Sequence, residues 1–214
     1  MKYNLKKTVK FVILNLLKAK LPIPIPFDEI FHGIDLSQEE KNLITEKIEL
    51  ISVDKDDILF KQGDIINHQY YVYDGCLRTY HIDENGKEHT LQFAIKHWWI
   101  SDYIAYFGDN KAVLNTECIK KAQLFKISKE NFEAIYKFSP KIEQLFRRKL
   151  EKALVRHEKR ILANLTNTAK ERYLAFLNKY PDIEKHIKNY HIASYLGITT
   201  ESLSRVRKDI AKSH

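Results

Sequence analysis

The residues best placed for chemistry lie close to the end of the chain, on one face of a predicted helix. Glu201, Ser204 and Arg205 follow one another at helical spacing, while Leu203 and Val206 fall on the opposite face. A Glu carboxylate accepts a hydrogen bond from cytosine N4, and an Arg side chain donates two to guanine O6 and N7. We therefore predict that Glu201, Ser204 and Arg205 read base edges in a DNA major groove.

Polar residues around this face are predicted to contact DNA phosphates, because the N-terminus of a helix attracts anions. They are Thr199, Thr200, Ser202, Arg207 and Lys208. The alternative is an ordinary helical hairpin in which Glu201 and Arg205 form an ion pair four residues apart.

The elements that position these residues form a helix, a tight turn and a second helix over residues 189–210. Gly197 suits the left-handed turn, Thr199 caps the second helix, and Ala193 is small enough for close helix packing. The shared apolar face comprises Ile192, Leu196, Ile198, Leu203 and Val206. This is the pattern of a helix-turn-helix.

The distribution of charge favours a polyanionic partner. Residues 141–214 hold 17 Lys and Arg against 8 Asp and Glu, a net charge of +9, whereas residues 1–140 carry a net charge of −1. Basic charge concentrated on one compact segment is typical of nucleic-acid binding. A solvated basic surface is the alternative.

A long helix is predicted over residues 139–165, starting at the Ser139-Pro140 pair. Its apolar stripe comprises Ile142, Leu145, Phe146, Leu150, Ala153, Leu154 and Ile161. We expect this stripe to pair with the same helix of a second copy, with packing onto the chain's own sheet as the alternative. Before the long helix, Ser128 is predicted to cap a short helix through Phe138. A further helix follows from Thr168 to about Lys179.

Short β-branched and aromatic runs between residues 48 and 127 predict an antiparallel barrel or sandwich. The predicted strands are Glu49–Val53, Ile58–Phe60, Gln69–Tyr73, Leu77–Ile82, His89–Ile95, Val113–Ile119 and Gln123–Ile127. Turn signals separate them at Gly63-Asp64, Asp74-Gly75, Asn85-Gly86 and Gly108-Asp109. Asn85-Gly86 is the strongest hairpin signal, since both residues tolerate positive φ.

The N-terminal residues 1–27 are predicted to form an amphipathic helix and a Pro-rich linker. Lysines precede the apolar run Phe11–Leu17, as in a signal peptide, but Asn15 breaks the run and no span of transmembrane length occurs. Cys76 and Cys118 match no metal-ligand spacing and make no disulfide framework. These features favour a cytoplasmic protein without a membrane partner.

The whole arrangement resembles the Crp/Fnr family of bacterial transcription regulators over about residues 28–214. The strongest match is Ile192-Ala-Ser-Tyr-Leu-Gly-Ile-Thr-Thr-Glu-Ser-Leu-Ser-Arg205, with the Glu-x-x-Ser-Arg pattern of Fnr-like recognition helices. The resemblance implies an α+β fold with an antiparallel, jelly-roll-like β-roll (28–138), a dimerisation helix (139–165) and a helix-turn-helix domain (166–214). It also implies a non-enzymatic homodimer on an inverted-repeat operator in double-stranded DNA, with T-G-A half-sites. RNA polymerase is left open as a partner.

Departures from the family concern the effector. Cyclic-nucleotide binders carry a Gly-Glu pair and a later Arg-Ser or Arg-Thr for the phosphate, whereas this chain has Ser101-Asp102 and then no arginine, with Lys111 as the one nearby cation. The N-terminal cysteine cluster of iron-sulfur members is also missing. We predict no cyclic nucleotide, cofactor or metal; haem ligation by a histidine stays open. Only four residues follow Ile210, so no wing is expected there and only a short one before residue 189.

Two other functions are weighed against this interpretation. In a cupin-like enzyme, His68, His81, His89 and His97 would bind a metal, but the His-x-His spacing of that fold is missing. A nonspecific nucleic-acid-binding protein would need only the basic segment. The effector is unknown, although side chains of one strand pair could line a pocket: Tyr70, Tyr71, Tyr73, Arg78 and Tyr80.

Overall fold

A computed structural model describes residues 23–108, 110–181 and 184–212. The predicted N-terminal helix lies outside the described residues. Two short helices, α1 (Phe27–Ile30) and α2 (Gln38–Lys47), precede the sheet. Ser37 and Glu40 form a reciprocal capping box at the start of α2.

The sheet contains six antiparallel strands: β1 (Ile48–Val53), β2 (Ile58–Phe60), β3 (His68–Ile82), β4 (Glu88–Ile95), β5 (Trp99–Ile100) and β6 (Asn115–Ser128). Their order is β1-β6-β3-β4, while β2 pairs with β6 and β5 pairs with β3. A short helix, α3 (Tyr103–Gly108), connects β5 to β6. This arrangement confirms the predicted antiparallel β-roll.

Four of the predicted strands are in fact two long ones. Asp74-Gly75 was predicted as a turn, but it lies within β3, where the register against β6 shifts. Gly75 has φ +100°, and a Cβ there would lie 2.5 Å from Ala122 Cα, so only glycine fits this crossing. β6 likewise joins the two runs predicted at residues 113–119 and 123–127. A turn signal produces a bulge and not a chain reversal when the runs on both sides of it pair with the same neighbouring strand.

The predicted hairpin at Asn85-Gly86 is confirmed, with a different backbone from the expected one. β3 and β4 pair directly up to Ile82 and Glu88. Gly86 has positive φ, but Asn85 does not. Gly86 N–H donates to Asp83 O, and the Asp83 carboxylate accepts from the amides of Asn85 and Lys87. The loop is therefore a five-residue turn, stabilised by Asp83.

Two helices follow the sheet. Ser128 caps α4 (Lys129–Phe138), as predicted, by accepting from Asn131 N. The long helix α5 (Pro140–Thr166) starts with Pro140 in its first turn. The Ser139 hydroxyl does not cap α5; it donates to Glu40 Oε1 at 2.5 Å and thereby ties the start of α5 to α2.

The C-terminal unit contains α6 (Ala169–Lys179), a 3-10 turn (Glu184–His186), α7 (Asn189–Leu196) and α8 (Thr200–Ala211). Thr168 and Glu171 form a capping box at the start of α6. No strand occurs between α6 and α8 in the part of this unit that the structure describes, so no wing is present there. Across the described ranges, no helix is long and apolar enough to span a membrane.

Candidate DNA-binding surface

Helices α7 and α8 form the predicted helix-turn-helix. Gly197 ends α7 with φ +66° and ψ +35°, the left-handed conformation that the turn requires. Thr199 caps α8 by accepting from Ser202 N at 3.2 Å. The sequence identified both turn residues, because their roles depend on local backbone geometry.

The outer face of α8 is open to solvent. Leu203 and Val206 are buried against α6 and α7, whereas Glu201, Ser204 and Arg205 are exposed. Arg205 has no ion pair or hydrogen bond to any described residue. The alternative of a Glu201–Arg205 ion pair therefore finds no support, and the Arg205 guanidinium keeps all its donors for a ligand.

Glu201 is oriented by the first turn of α8. Its own backbone N–H and the hydroxyls of Thr199 and Thr200 lower the pKa of its carboxyl, and Thr200 Oγ1 donates to Glu201 Oε1 at 3.0 Å. An ionised carboxylate at a helix N-terminus is also stabilised by the helix dipole. Glu201 is thus an acceptor held in place at the start of α8, one helical turn from the exposed Arg205.

Four of the five predicted phosphate contacts border this face. Thr199 and Lys208 are exposed, and Thr200 and Ser202 are half-buried around the N-terminus of α8. The three hydroxyls lie beside the helix amides at the N-terminus of α8, where an anion can approach, while the Lys208 ammonium lies in the last turn.

Arg207 does not fit its predicted role as a phosphate contact. Its guanidinium donates to Tyr173 Oη at 2.8 Å, Asn189 Oδ1 at 2.7 Å and Glu184 Oε1 at 2.7 Å. Arg207 lies on the inward flank of α8, so it ties this helix to α6, α7 and the 3-10 turn. We correct its assignment to a residue that holds the domain together.

The segment that binds phosphate in cyclic-nucleotide receptors has an internal anion here. Asp102 is fully buried. Its Oδ1 accepts from the amides of Ile104 and Ala105 at 3.0 and 3.2 Å, and its Oδ2 from those of Val113 and Leu114 at 2.8 and 3.0 Å. A carboxylate of the chain itself therefore occupies the amide cradle.

The sheet domain matches the model of a known protein family. The family model of the cyclic nucleotide-binding domain matches residues 50–137. The anaerobic regulatory protein of Pasteurella multocida is 26% identical over 171 residues, which cover 72% of this chain and 60% of that protein. The match thus spans about three fifths of the relative's length.

Solved structures share the fold along most of the chain. The c-di-GMP-responsive global regulator CLP of Xanthomonas campestris has a TM-score of 0.66 at 14% identity and covers 83% of this chain and 93% of its own. A Eubacterium rectale protein assigned to the Crp/Fnr family has a TM-score of 0.64 at 21% identity, covering 84% and 85%. The resemblance to the Crp/Fnr family is confirmed. This chain has the Crp/Fnr architecture of a cyclic-nucleotide-binding-type roll, a long helix and a helical C-terminal domain.

The apolar stripe of the long helix α5 divides into two parts. Ile142 and Phe146 are buried against α1, α4 and the sheet, and Leu145 is half-buried there. Ile142 and Phe146 are buried in their own chain, so their assignment to a dimer contact is corrected, because the roll covers the first turns of α5. The half-buried Leu145 stays a predicted dimer contact. Leu150, Leu154 and Ile161 are 44%, 61% and 57% exposed, and Ala153 is half-buried.

The sequence did not predict how the helix-turn-helix docks onto the roll. Ser194 Oγ on α7 accepts from Thr90 N at 2.8 Å and donates to Glu88 O at 2.9 Å. Tyr180 Oη donates to Phe93 O at 3.2 Å. These bonds join the C-terminal domain to β4, and Phe93 of β4 packs among the aromatic rings of that domain.

A charge cluster centred on a buried arginine lies beneath this docking surface. Arg78 is fully buried and pairs with Glu88 at 2.7 Å and Glu117 at 2.8 Å. His191 of α7 approaches the same two carboxylates at 3.9 and 3.6 Å. Burial, followed by the positive charges of Arg78 and Lys188, lowers the pKa of His191 to about 3. No sequence signal pairs Arg78 with His191, since they are more than 100 positions apart.

The predicted tyrosine pocket does not form. Tyr70 belongs to the core inside the Crp/Fnr roll, while Tyr71 lies in the core beneath α4 and α5. Neighbouring residues of a strand point to opposite faces, so these side chains cannot line one cavity. Arg78 stacks over Tyr80 at 4.2 Å, inside the charge cluster. Tyr73 is half-buried against Phe125.

The histidines of the cupin alternative do not converge. His81 Nδ1 contacts Val113 O, His89 pairs with Asp83, and His97 Nδ1 contacts Tyr71 Oη. Within the described ranges, no group of three or more His, Cys, Asp or Glu residues could hold a metal ion.

Proposed function

We propose that this chain is a sequence-specific, DNA-binding transcription regulator that acts in the cytoplasm without catalytic activity. The observation that carries the proposal is the exposed face of α8, where Arg205 has no partner among the described residues and the Glu201 carboxylate is held at the helix N-terminus. A forked arginine guanidinium that donates hydrogen bonds and a carboxylate that accepts them, one helical turn apart, can read neighbouring base pairs in a major groove.

The proposed active species is a homodimer that pairs through the exposed half of α5. Leu150, Leu154 and Ile161 recur at spacings of four and seven residues on one side of the helix, as in a two-stranded coiled coil. A symmetric dimer would present two α8 helices to an inverted repeat whose half-sites lie about one DNA turn, roughly 34 Å, apart. A contact with RNA polymerase stays a prediction.

Control by cyclic nucleotide is not part of this proposal. The Asp102 carboxylate accepts hydrogen bonds from the four amides of the cradle, and its buried negative charge would repel a phosphate placed there. Isothermal titration with cAMP and cGMP tests this point. We expect no heat of binding at millimolar nucleotide, and saturable binding of either one would contradict it.

Selection of bound DNA from a random library, at one fixed salt concentration, tests the main proposal. We expect an enriched inverted repeat for the unchanged protein. Arg205→Ala should lose a guanine preference in each half-site and weaken binding by about 1–3 kcal/mol per site, the usual value of a bidentate Arg–guanine contact. Affinities for the enriched site follow from titration of a labelled duplex.

Arg148→Ala is the matched control, because Arg148 is an exposed arginine of α5 far from α8. This change removes the same charge and should leave the selected sequence unchanged. Salt-sensitive binding without enrichment, equal in both variants, would instead favour the nonspecific nucleic-acid-binding alternative.

A further inference from the structure

The short connector between α6 and α7 takes the place of a two-stranded wing. Its described part, residues 184–190, begins with the 3-10 turn and runs into the first turn of α7. Ile187 is buried in the core of the C-terminal domain and holds the connector against the helices. The residues that follow and precede it are exposed, so the connector presents a polar outer surface: Lys185, His186, Lys188, Asn189 and Tyr190.

The connector is tied to α8 by Arg207. The Arg207 guanidinium donates to Glu184 Oε1 at the start of the described connector and to Asn189 Oδ1 near its end, both at 2.7 Å. Tyr173 Oη also donates to Glu184 Oε1, at 2.6 Å, and accepts from Arg207 Nε. Two points of the connector are thus fixed to one residue of α8, so the position of the connector relative to the exposed face of this helix is fixed as well.

Arg207 also determines on which side of α8 the connector lies. Ser204 and Arg207 are three residues apart, so they are neighbours on the helix surface, and the connector borders the Ser204 edge of the exposed face. An α-helix with its side chains is about 10–12 Å wide and a major groove is about 12 Å wide, so α8 would fill the groove. A segment attached to the flank of α8 would then meet the rim of the groove, which is a phosphodiester strand.

The charge of the connector suits such a strand. Lys185 and Lys188 are exposed, and neither forms an ion pair with a carboxylate among the residues that the structure describes. The Lys188 ammonium donates to the Tyr190 hydroxyl, and this hydrogen bond is the main cause that raises the pKa of Lys188. Glu184 is the acidic residue of the described connector, and Arg207 neutralises it at 2.7 Å. The surface beside α8 is therefore positively charged.

We propose, on the basis of the proposed function, that this connector is a second DNA-contact surface whose Lys185 and Lys188 bind backbone phosphates beside each half-site. Glu184 is then a positioning residue, because it holds the connector on α8 through Arg207. Phosphate contacts fix the register of a protein on DNA but carry no base information. The connector would thus add affinity and register, whereas the exposed face of α8 supplies the sequence preference.

The salt dependence of binding to the selected operator tests the two lysines. Each phosphate that a protein neutralises adds about 0.9 to the slope of log K against log salt concentration, so the loss of one contact per half-site should lower the slope of a dimer by about 1.8. We expect this loss for Lys185→Gln and for Lys188→Gln, with binding weakened roughly tenfold. The weakening should be equal for the operator and for a duplex with altered half-sites, and the selected sequence should not change.

Lys179→Gln is the matched control, because it removes the same charge from the same domain. The Lys179 ammonium lies over the Trp98 ring at 4.7 Å and therefore faces the roll. Its variant should keep the salt slope of the unchanged chain. Unchanged slopes in Lys185→Gln and Lys188→Gln, or an equal loss in Lys179→Gln, would overturn the proposal.

Glu184→Gln tests the positioning role. Charge alone predicts tighter DNA binding, since the substitution removes a negative charge beside the duplex. Loss of the anchor predicts the opposite, because the connector lysines are then no longer held at the rim of the groove. We expect weaker binding, and a smaller effect of Lys185→Gln in the Glu184→Gln background than in the unchanged chain. Tighter binding, or full additivity of the two changes, would refute the positioning role.

These results are separable from that of the operator selection. If the unchanged protein enriches an inverted repeat and the lysine variants keep its salt slope, the connector contact is refuted and the proposed function stands. If no sequence is enriched, the proposed function is refuted, and the contact beside the half-site with it.

Discussion

At the scale of single residues, carboxylates of this protein lie where backbone N–H groups stabilise their charge. The buried carboxylate of Asp102 is stabilised by four amides. Glu201 at the surface uses the same physics, with a helix N-terminus and two hydroxyls around its carboxylate. Arg207 shows the converse. Its position near the recognition face suggested a contact with DNA, but its guanidinium donates hydrogen bonds to three acceptors of the protein itself.

Replacement of Asp102 tests the internal anion. Asp102→Ala removes the acceptor of four N–H groups, of which those of Ala105 and Leu114 are buried; each buried group left unpaired costs roughly 1–3 kcal/mol, so the free energy of unfolding should fall by at least about 2 kcal/mol. Urea denaturation measures the loss. Asp102→Asn keeps one oxygen and should give a smaller loss.

Ser101→Ala is the control for this prediction, since the Ser101 hydroxyl donates one hydrogen bond, to His68 O. It should cost only about 1 kcal/mol. Equal losses for Asp102→Ala and Ser101→Ala would show that the four amides do not depend on the carboxylate.

At the scale of elements, α5 serves two surfaces in succession. Its first turns bury Ile142 and Phe146 in the chain's own core, and its later turns leave Leu150, Leu154 and Ile161 without cover. Hydrophobic periodicity detects a stripe but cannot tell which part the same chain covers, because that depends on where α4 and the sheet end.

Leu154→Glu tests the proposed pairing of the exposed half. A carboxylate at a dimer seam loses apolar burial and places two like charges together, so the dimer should dissociate at least tenfold more readily. Sedimentation equilibrium at micromolar concentration measures this shift.

Val155→Glu is the control, because Val155 is 49% exposed on another side of α5 and receives the same substitution. It should leave the association constant unchanged. A dimer that survives Leu154→Glu, or dissociates equally in both variants, would locate the interface elsewhere.

At the scale of the whole molecule, the position of the helix-turn-helix domain depends on contacts with the roll. Ser194 links α7 to the backbone of β4, and His191 lies over the Arg78, Glu88 and Glu117 cluster. Under the proposed function, a change in β4 would reach the proposed DNA-binding face of α8 through this junction.

Acidification should weaken this junction through His191. Its pKa is about 3 in the folded chain against 6.5 for a free histidine, so the unfolded or undocked state binds more protons as pH falls below 6.5. The stability that neutral His191 contributes is present above pH 6.5 and decreases below it, by roughly 1 kcal/mol between pH 7 and pH 5.5.

Urea unfolding at both pH values, for the unchanged chain and for His191→Gln, measures this contribution. Glutamine does not titrate, so the variant should lose less stability on acidification. The pKa values of His68 and His157 are also lowered, and these residues contribute equally to both proteins. Identical pH dependence in the two proteins would show that His191 does not sense the proton.

The sequence alone determined what depends on neighbours along the chain. The left-handed turn at Gly197, the caps at Ser128 and Thr199, the hairpin before Gly86 and the outward face of Glu201, Ser204 and Arg205 all follow from helical periodicity and local backbone chemistry. Only the tertiary structure decided which partners distant residues meet. The bulge at Gly75, the amide cradle of Asp102, the loss of Arg207 to its own domain and the cluster around Arg78 join residues that no short-range pattern connects, because burial and charge pairing act through space and not along the chain.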